Sequence, residues 1–246
     1  EPKSRKHAQD VHEEIAEQLA KDGVASRRRL EGSFARETML PPLHDVDKVI
    51  ELHPDHHAQV QEPGGTKAAM DLIRDSVKSL LPTATFKVKR HALGIFLPDE
   101  GFDFDAVPAI NDGTDPDWIV IANTDDDTWD DSNTYQLITV VADRNQSCNG
   151  QFIHQVRMLK EAAKTHGLDG VLPGLHIESF AFQAITTQME HPAAIADALT
   201  KGAVLLGKGY YEPTGVDRIS DRLLESNKIV AKRTFLSLAD KANEAL

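Results

Sequence analysis

The sequence contains a single cysteine, Cys148, among 246 residues. No internal disulfide framework can be built from it, and this usage fits a reducing cytoplasm. Positive charge is also in short supply. The 27 Lys and Arg residues face 39 Asp and Glu, for a formal net charge of −12. Such a surface repels a long phosphate backbone unless a local basic patch compensates, so no stable nucleic-acid partner is expected. A nucleoside triphosphate is not excluded, because a divalent cation can neutralise phosphates held by carboxylates. No apolar run approaches the roughly 20 residues a helix needs to cross a bilayer, so no membrane partner is expected. No signal peptide precedes the first helix, and a cytoplasmic location is expected; the sequence starts at Glu1 rather than Met, which leaves room for a short leader. Internal repeats and low-complexity linkers are absent too.

The rest is ordinary globular composition, 40% hydrophobic and 27% charged, in a chain long enough for one large domain or two lobes. Residues 4–22 place Val11, Ile15 and Leu19 four apart, as an amphipathic helix does. "RRRLEGSFA" reads as a strand entering a tight turn, and "DVDKVIEL" as a second strand. "GGTKAAMDLIRDSVKSLL" is a helix on the 3.6-residue period through Met70, Ile73, Val77, Leu80 and Leu81, ended by Pro82. Three strand-like runs follow, "TATFKVKRHALGIFL", "GFDFDAVPAI" and "DWIVIAN". After the acidic stretch "TDDDTWDDSN", which reads as a loop, the sequence is helical from about residue 133 to its end. Strands first and helices second predict an α+β fold, a sheet lobe and a helical lobe.

Side chains alternate across a strand, so Asp45 and Asp47 share one face and Val46 takes the other. "FDFDAVPAI" repeats the pattern with Asp103 and Asp105. Like charges side by side are unfavourable unless a cation sits between them. For clustered carboxylates the usual cation is Mg²⁺, which takes hard oxygen ligands and leaves sites for phosphate oxygens. Three carboxylates can hold two such ions about 4 Å apart, clamping the attacking and leaving oxygens of phosphoryl transfer. Either pair alone is more often a solvated strand edge. The Gly32-Ser33 turn strengthens the functional reading, since a glycine turn opening a helix offers backbone N–H groups and a hydroxyl to an anion. "ARETML", with Thr38, is expected to form a short helix returning the chain to the aspartate strand.

"GSFARETMLPPLHDVDKV" resembles the GS-x-D-h-D signature of the polymerase-β-like nucleotidyltransferases. "FDAVPAI" resembles their third-aspartate strand, in the style of the oligoadenylate synthetases and the bacterial cyclic-oligonucleotide synthases, the cGAS/DncV-like CD-NTases. "QVRMLKEAAK" is similar to the helix whose lysine reaches the triphosphate, "LPGLHIESFAFQAI" to the Leu-Pro-Ser-x-x-Leu-Glu helix, and "YYEPTGVDRISDRL" to a C-terminal Asp-Pro-Thr-Gly segment. The likeness runs in order from about residue 30 to 225. It implies a polymerase-β-like core, a mixed sheet with flanking helices over residues 1–130, and a helical lobe over 131–246 closing the nucleotide cleft. It also implies that Gly32 and Ser33 hold the β- and γ-phosphates and that Asp45 and Asp47 bind two ions, Mg²⁺ or Mn²⁺. Asp105 would bind the ion that activates the attacking hydroxyl, and Lys160 would contact the donor triphosphate. Asp103 shares the face of Asp105, but the family pattern puts its aspartate two residues before Val107-Pro108, which selects Asp105. Gly174 departs from the family's phosphate-binding serine, and Glu212 from its aspartate.

Other residues have blander readings. "HPDHH" lacks the cysteines or distant third ligand of known metal sites and reads as a polar loop. Arg27, Arg28 and Arg29 suit a solvated corner, and the five aspartates of "TDDDTWDD" a solvated loop. Without the resemblance Lys160 would be a surface lysine. His176 and Glu178 fall near a helix start and read as structural.

The expected function is therefore template-independent nucleotidyl transfer between NTPs, giving a cyclic di- or trinucleotide second messenger. The resemblance implies a bacterial anti-phage setting with a downstream effector that senses the product. Several such relatives work with a conjugation or regulatory partner at the C-terminus, which "KANEAL" neither requires nor excludes. The alternatives are nucleotide transfer to RNA 3′ ends, a protein or a small molecule, or a catalytically idle nucleotide-sensing module.

Overall fold

The computed structural model describes residues 2–41, 45–98, 102–115 and 117–245. The chain divides into two compact units: Glu1–Ala35 with Pro41–Tyr135, and Arg36–Leu40 with Gln136–Leu246. No helix among the described residues is long and apolar enough to cross a membrane.

In the first unit, α1 (Pro2–Lys21) buries the four-spaced stripe of Val11, Ile15 and Leu19, and Gly23 at φ +70° turns the chain out of it. Then come β1 (Ala25–Leu30), α2 (Gly32–Ala35), β2 (Asp45–Leu52), α3 (Pro54–Val60) and α4 (Gly65–Val77). The remaining strands are β3 (Thr85–Val88), β4 (Leu93–Leu97), β5 (Phe102–Ile110), β6 (Ile119–Asn123) and β7 (Thr128–Ser132). All seven form one mixed sheet in the order β1-β2-β5-β4-β3, with β6 on β5 and β7 on β6. β2 and β5 run parallel; the other pairings are antiparallel.

One face of this central pair is apolar except for the buried Lys48. Val46, Ile50, Phe104 and Ala106 are fully buried there, worth about 1.5–3 kcal/mol for each large side chain. His12 of α1 meets Phe104 edge-on, with ring centroids 4.6 Å apart, and α4 packs on β5, β4 and β3. The aspartate positions alternate onto the opposite face. Further along that face Val49, Ala109, Ile119 and Tyr135 make a small second core.

Several local expectations need correction. The "ARETML" segment is not a helix. α2 is the Gly32–Ala35 turn itself, and Glu37 at φ +59° ends any helical course. The acidic stretch is not wholly a loop, because β7 pairs with β6 in a hairpin. Within its turn the Asp127 carboxylate accepts from Gly64 N (2.5 Å), Thr66 N (3.3 Å) and Thr66 Oγ1 (2.7 Å), capping α4 from a distant part of the chain. "HPDHH" opens α3 instead of forming a loop. The His53 ring accepts from Asp55 N, while rings of His56 and His57 bind the Gly23 and Leu52 carbonyls, each at 3.1 Å. α4 stops at Val77, ahead of Pro82.

The second unit carries α5 (Thr134–Ser147), α6 (Gln151–Ala163), α7 (Gly174–Ala184), α8 (His191–Leu205) and α9 (Glu225–Glu244). Phe180 sits edge-on to Tyr210 (4.8 Å) and Phe235 (5.7 Å) in its core. Gly202 lets α8 approach these rings, since a Cβ there would fall 2.7 Å from Phe235. The helical text expected to the end of the sequence is interrupted, and the last helix begins only at Glu225. Ahead of it the chain wraps around the Glu212 carboxylate, which accepts the amides of Thr214, Val216 and Asp217.

Candidate active site

The parallel register of β2 and β5 sets Asp45 beside Asp103 and Asp47 beside Asp105. Residues two apart on a strand share a face, so all four aspartate positions form a patch on one side of the sheet. The side chain of Asp45 lies outside what the structure describes. Asp47, Asp103 and Asp105 are half-buried.

Gly32 has two separate reasons to be glycine. Its φ of +65° is the left-handed region, and a Cβ on it would lie 1.9 Å from Asp47 Oδ2. The Asp47 carboxylate thus occupies the place a side chain would take. The Glu31 amide donates to the Asp47 carbonyl (2.9 Å), tying the turn to β2. Buried Phe34 anchors α2 from below, stacked on His12 at 6.4 Å. Ser33, half-buried, follows Gly32 in this pinned turn.

Asp105 is approached by a residue that no local sequence pattern singles out. Lys89 Nζ lies 2.7 Å from both Asp105 oxygens. Its partner in this arrangement is Gly94, which pairs with Asp105 across β4 and β5.

Lys160 and Glu178 belong to the second unit, and they are deeply buried. Lys160 Nζ donates to Glu178 Oε1 (2.7 Å), to the Thr38 carbonyl (3.0 Å) and to Thr38 Oγ1 (3.1 Å). Arg36 forks onto the same carboxylate at 2.7 and 3.2 Å, and the Thr38 hydroxyl donates to it at 2.8 Å. Burial alone would raise the Glu178 pKa, but Arg36 and Lys160 beside it hold it down at about 2. Burial pulls the Lys160 ammonium down, against the opposing pull of Glu178. The surface-lysine reading is therefore corrected. Gly174, at the start of α7, adjoins the same group: a Cβ there would meet Lys160 Cε and Nζ at 3.2 Å. The structure thus brings Lys160 together with Gly174, and separately Gly32 with Asp47 and Asp47 with Asp105.

The donors on the sheet are carboxylate oxygens, and an ammonium already rests on one of them, so the patch suits a hard divalent cation. Among the described residues no group of three or more His, Cys, Asp or Glu side chains is placed to hold a metal ion, and the Asp45 side chain lies outside that set. With a divalent cation on it, a patch of this kind beside a glycine turn could offset the charge of phosphate oxygens and orient a hydroxyl.

Residues 1–145 match a protein family described as the Second Messenger Oligonucleotide or Dinucleotide Synthetase domain, SMODS. No curated protein matches by sequence. Among solved structures, the chain is similar to the CD-NTase CdnG of Bradyrhizobium diazoefficiens in complex with GTP. The TM-score is 0.80 at 14% identity, covering 99% of this chain and 87% of that one. It is also similar to CdnC of E. coli MS115-1 with ATP, with TM-score 0.77, 16% identity and coverage of 99% and 86%. Against the Vibrio cholerae DncV cyclic AMP-GMP synthase the TM-score is 0.69 at 15% identity, covering 89% of this chain and 63% of that one. At such identities the likeness is one of fold. The family match spans more than half of the 246 residues and takes in the Gly32 turn and every aspartate of the patch. With it, the chain belongs to the Second Messenger Oligonucleotide or Dinucleotide Synthetase family and is a nucleotidyltransferase of the CD-NTase kind, a synthase of cyclic oligonucleotide second messengers.

Proposed function

We propose that this chain joins NTPs through the carboxylate patch of β2 and β5 and closes the product into a cyclic di- or trinucleotide. The observation that carries the reading is the Gly32–Asp47–Asp105 arrangement, in which a glycine is kept where a carboxylate needs its space. A 2′- or 3′-hydroxyl of one nucleotide attacks the α-phosphate of another. The new P–O bond forms to that hydroxyl oxygen, the bond to the β-phosphate oxygen breaks, pyrophosphate leaves and the hydroxyl proton passes to solvent. A second such step closes a dinucleotide ring, and a trinucleotide ring takes a third. Two Mg²⁺ or Mn²⁺ ions held by Asp45, Asp47 and Asp105 would acidify the attacking hydroxyl and offset charge on the leaving group. Gly32 and Ser33 present backbone N–H groups and a hydroxyl to the β- and γ-phosphates. Residues 1–130 are proposed to supply this chemistry. Lys160 is proposed as a donor-triphosphate contact on the resemblance alone. Rate enhancement comes from positioning and charge neutralisation, without a covalent enzyme intermediate.

The GTP and ATP in the similar CdnG and CdnC structures support NTPs as substrates here. A role in anti-phage signalling, with an effector that senses the product and a regulatory or conjugation partner, extends this reading. To test it, the protein is incubated with four labelled NTPs and Mg²⁺ or Mn²⁺ and the mixture treated with phosphatase. A labelled, phosphatase-resistant small product that vanishes in Asp45→Ala/Asp47→Ala is expected. Label found only on added RNA or protein would move the activity to another acceptor. No product under any condition would favour an idle sensor.

A further inference from the structure

The turn between β3 and β4 is held on both sides. The Lys89 amide donates to the Ala92 carbonyl (2.8 Å), and Thr124 at the end of β6 donates its hydroxyl to the Lys89 carbonyl (3.0 Å) and its amide to the Arg90 carbonyl (2.8 Å). From this fixed backbone the Lys89 side chain crosses the β4 residue paired with Asp105, which is Gly94. A Cβ on Gly94 would stand 2.8 Å from Lys89 Cε and 3.4 Å from Asp105 Oδ1. The missing side chain is the path the lysine takes. The Phe96 ring lies 5.8 Å from its Nζ. The pair is not sealed in: the Lys89 side chain is 37% exposed and that of Asp105 13%.

We propose that Lys89 is a built-in counter-ion, a positioning residue that holds Asp105 while no divalent ion is bound and gives way when one binds. This rests on the reading of Asp105 as a metal ligand. Four aspartates on one sheet face repel one another, and an ammonium on a flexible stem offsets part of that repulsion. An ion pair this exposed is weak, so a divalent cation can displace it. The buried Lys160–Glu178 pair, with extra hydrogen bonds from Thr38 and Arg36, has no comparable freedom. Lys89 and the metal thus compete for one carboxylate.

The test is Mn²⁺ titration of the full chain, followed by EPR, with thermal melting in the absence and presence of Mn²⁺. Lys89→Met is expected to bind Mn²⁺ about three- to tenfold more tightly than the wild type. Its metal-free Tm should be lower and its Mn²⁺-induced rise in Tm larger. Gly94→Ala, which crowds the lysine's path, should shift affinity the same way by less, and Lys89→Arg should restore wild-type binding. In an Asp105→Asn background Lys89→Met should change nothing. If Asp105→Asn weakens Mn²⁺ binding but Lys89→Met leaves it unchanged or weaker, the counter-ion role is overturned and the ligand reading stands. If Asp105→Asn leaves Mn²⁺ binding intact, or the wild type binds none, the ligand reading fails and the counter-ion role fails with it.

Discussion

The protein contains two charged clusters built on opposite plans. In the helical unit one carboxylate, Glu178, is enclosed by two cations and a hydroxyl and is fully out of water. On the sheet, four aspartate positions crowd two parallel strands, half-exposed where the structure describes them. The first arrangement satisfies every strong electrostatic demand at the expense of accessibility. The second gathers like charge, offset at Asp105 by Lys89, and leaves it within reach of solvent. Removing one partner of the Glu178 cluster would leave buried charge uncompensated, whereas the β2 and β5 carboxylates are the ones proposed to take a ligand.

The sharpest way to break the sheet cluster without touching a carboxylate is Gly32→Ala. Its Cβ would collide with Asp47 Oδ2, so product formation should fall by about 10²–10³-fold in an NTP assay, as expected when a reacting group is displaced by an ångström. The left-handed backbone adds only about 1–2 kcal/mol of destabilisation. The helical cluster should show the reverse. Glu178→Gln leaves Arg36 and Lys160 buried without their carboxylate, and chemical denaturation should report a loss of about 3–5 kcal/mol.

Much of the sheet cluster was legible because period-2 alternation survives in "DVDKVIEL" and "FDFDAVPAI", and β2 covers residues 45–52 as read. The Gly-Ser turn was legible for its spacing. The helical cluster was not, since Arg36 and Glu178 are 142 residues apart and no local pattern announces that they meet. Lys89 was hidden for a similar reason: its reach to Asp105 follows from hairpin register and from the missing side chain of Gly94. β7 escaped because "TWDDS" is exposed or half-exposed throughout and shows no apolar alternation. α3 escaped because seven residues are too few for a helical period to show.

Acidification separates the clusters further. Burial, with Lys48 nearby, holds His12 neutral down to about 3, against the ordinary histidine value of 6.5. An unfolded His12 takes up its proton below about 6.5. The unfolded chain therefore binds more protons between those values, and stability falls as pH drops through that window. Neither ring nitrogen of His12 has a hydrogen-bond partner among the described residues. His12→Phe should raise stability by about 1–3 kcal/mol and flatten the fall of Tm between about pH 7 and 5. Glu178 contributes its own loss lower down, from 4.5 towards about 2. The smallest expected effect lies outside both clusters: Asp127→Ala removes the cap of α4 and should cost about 1 kcal/mol, measured by urea denaturation.

The central claim is that the sheet carboxylates are kept for chemistry and not for the fold. Asp47→Asn, melted in EDTA and assayed with labelled NTPs, tests it most directly. Tm should be unchanged or raised, because like-charge repulsion is relieved, and the phosphatase-resistant product should fall by about 10³-fold or more. A Tm lowered by several degrees with the product still formed would contradict that claim.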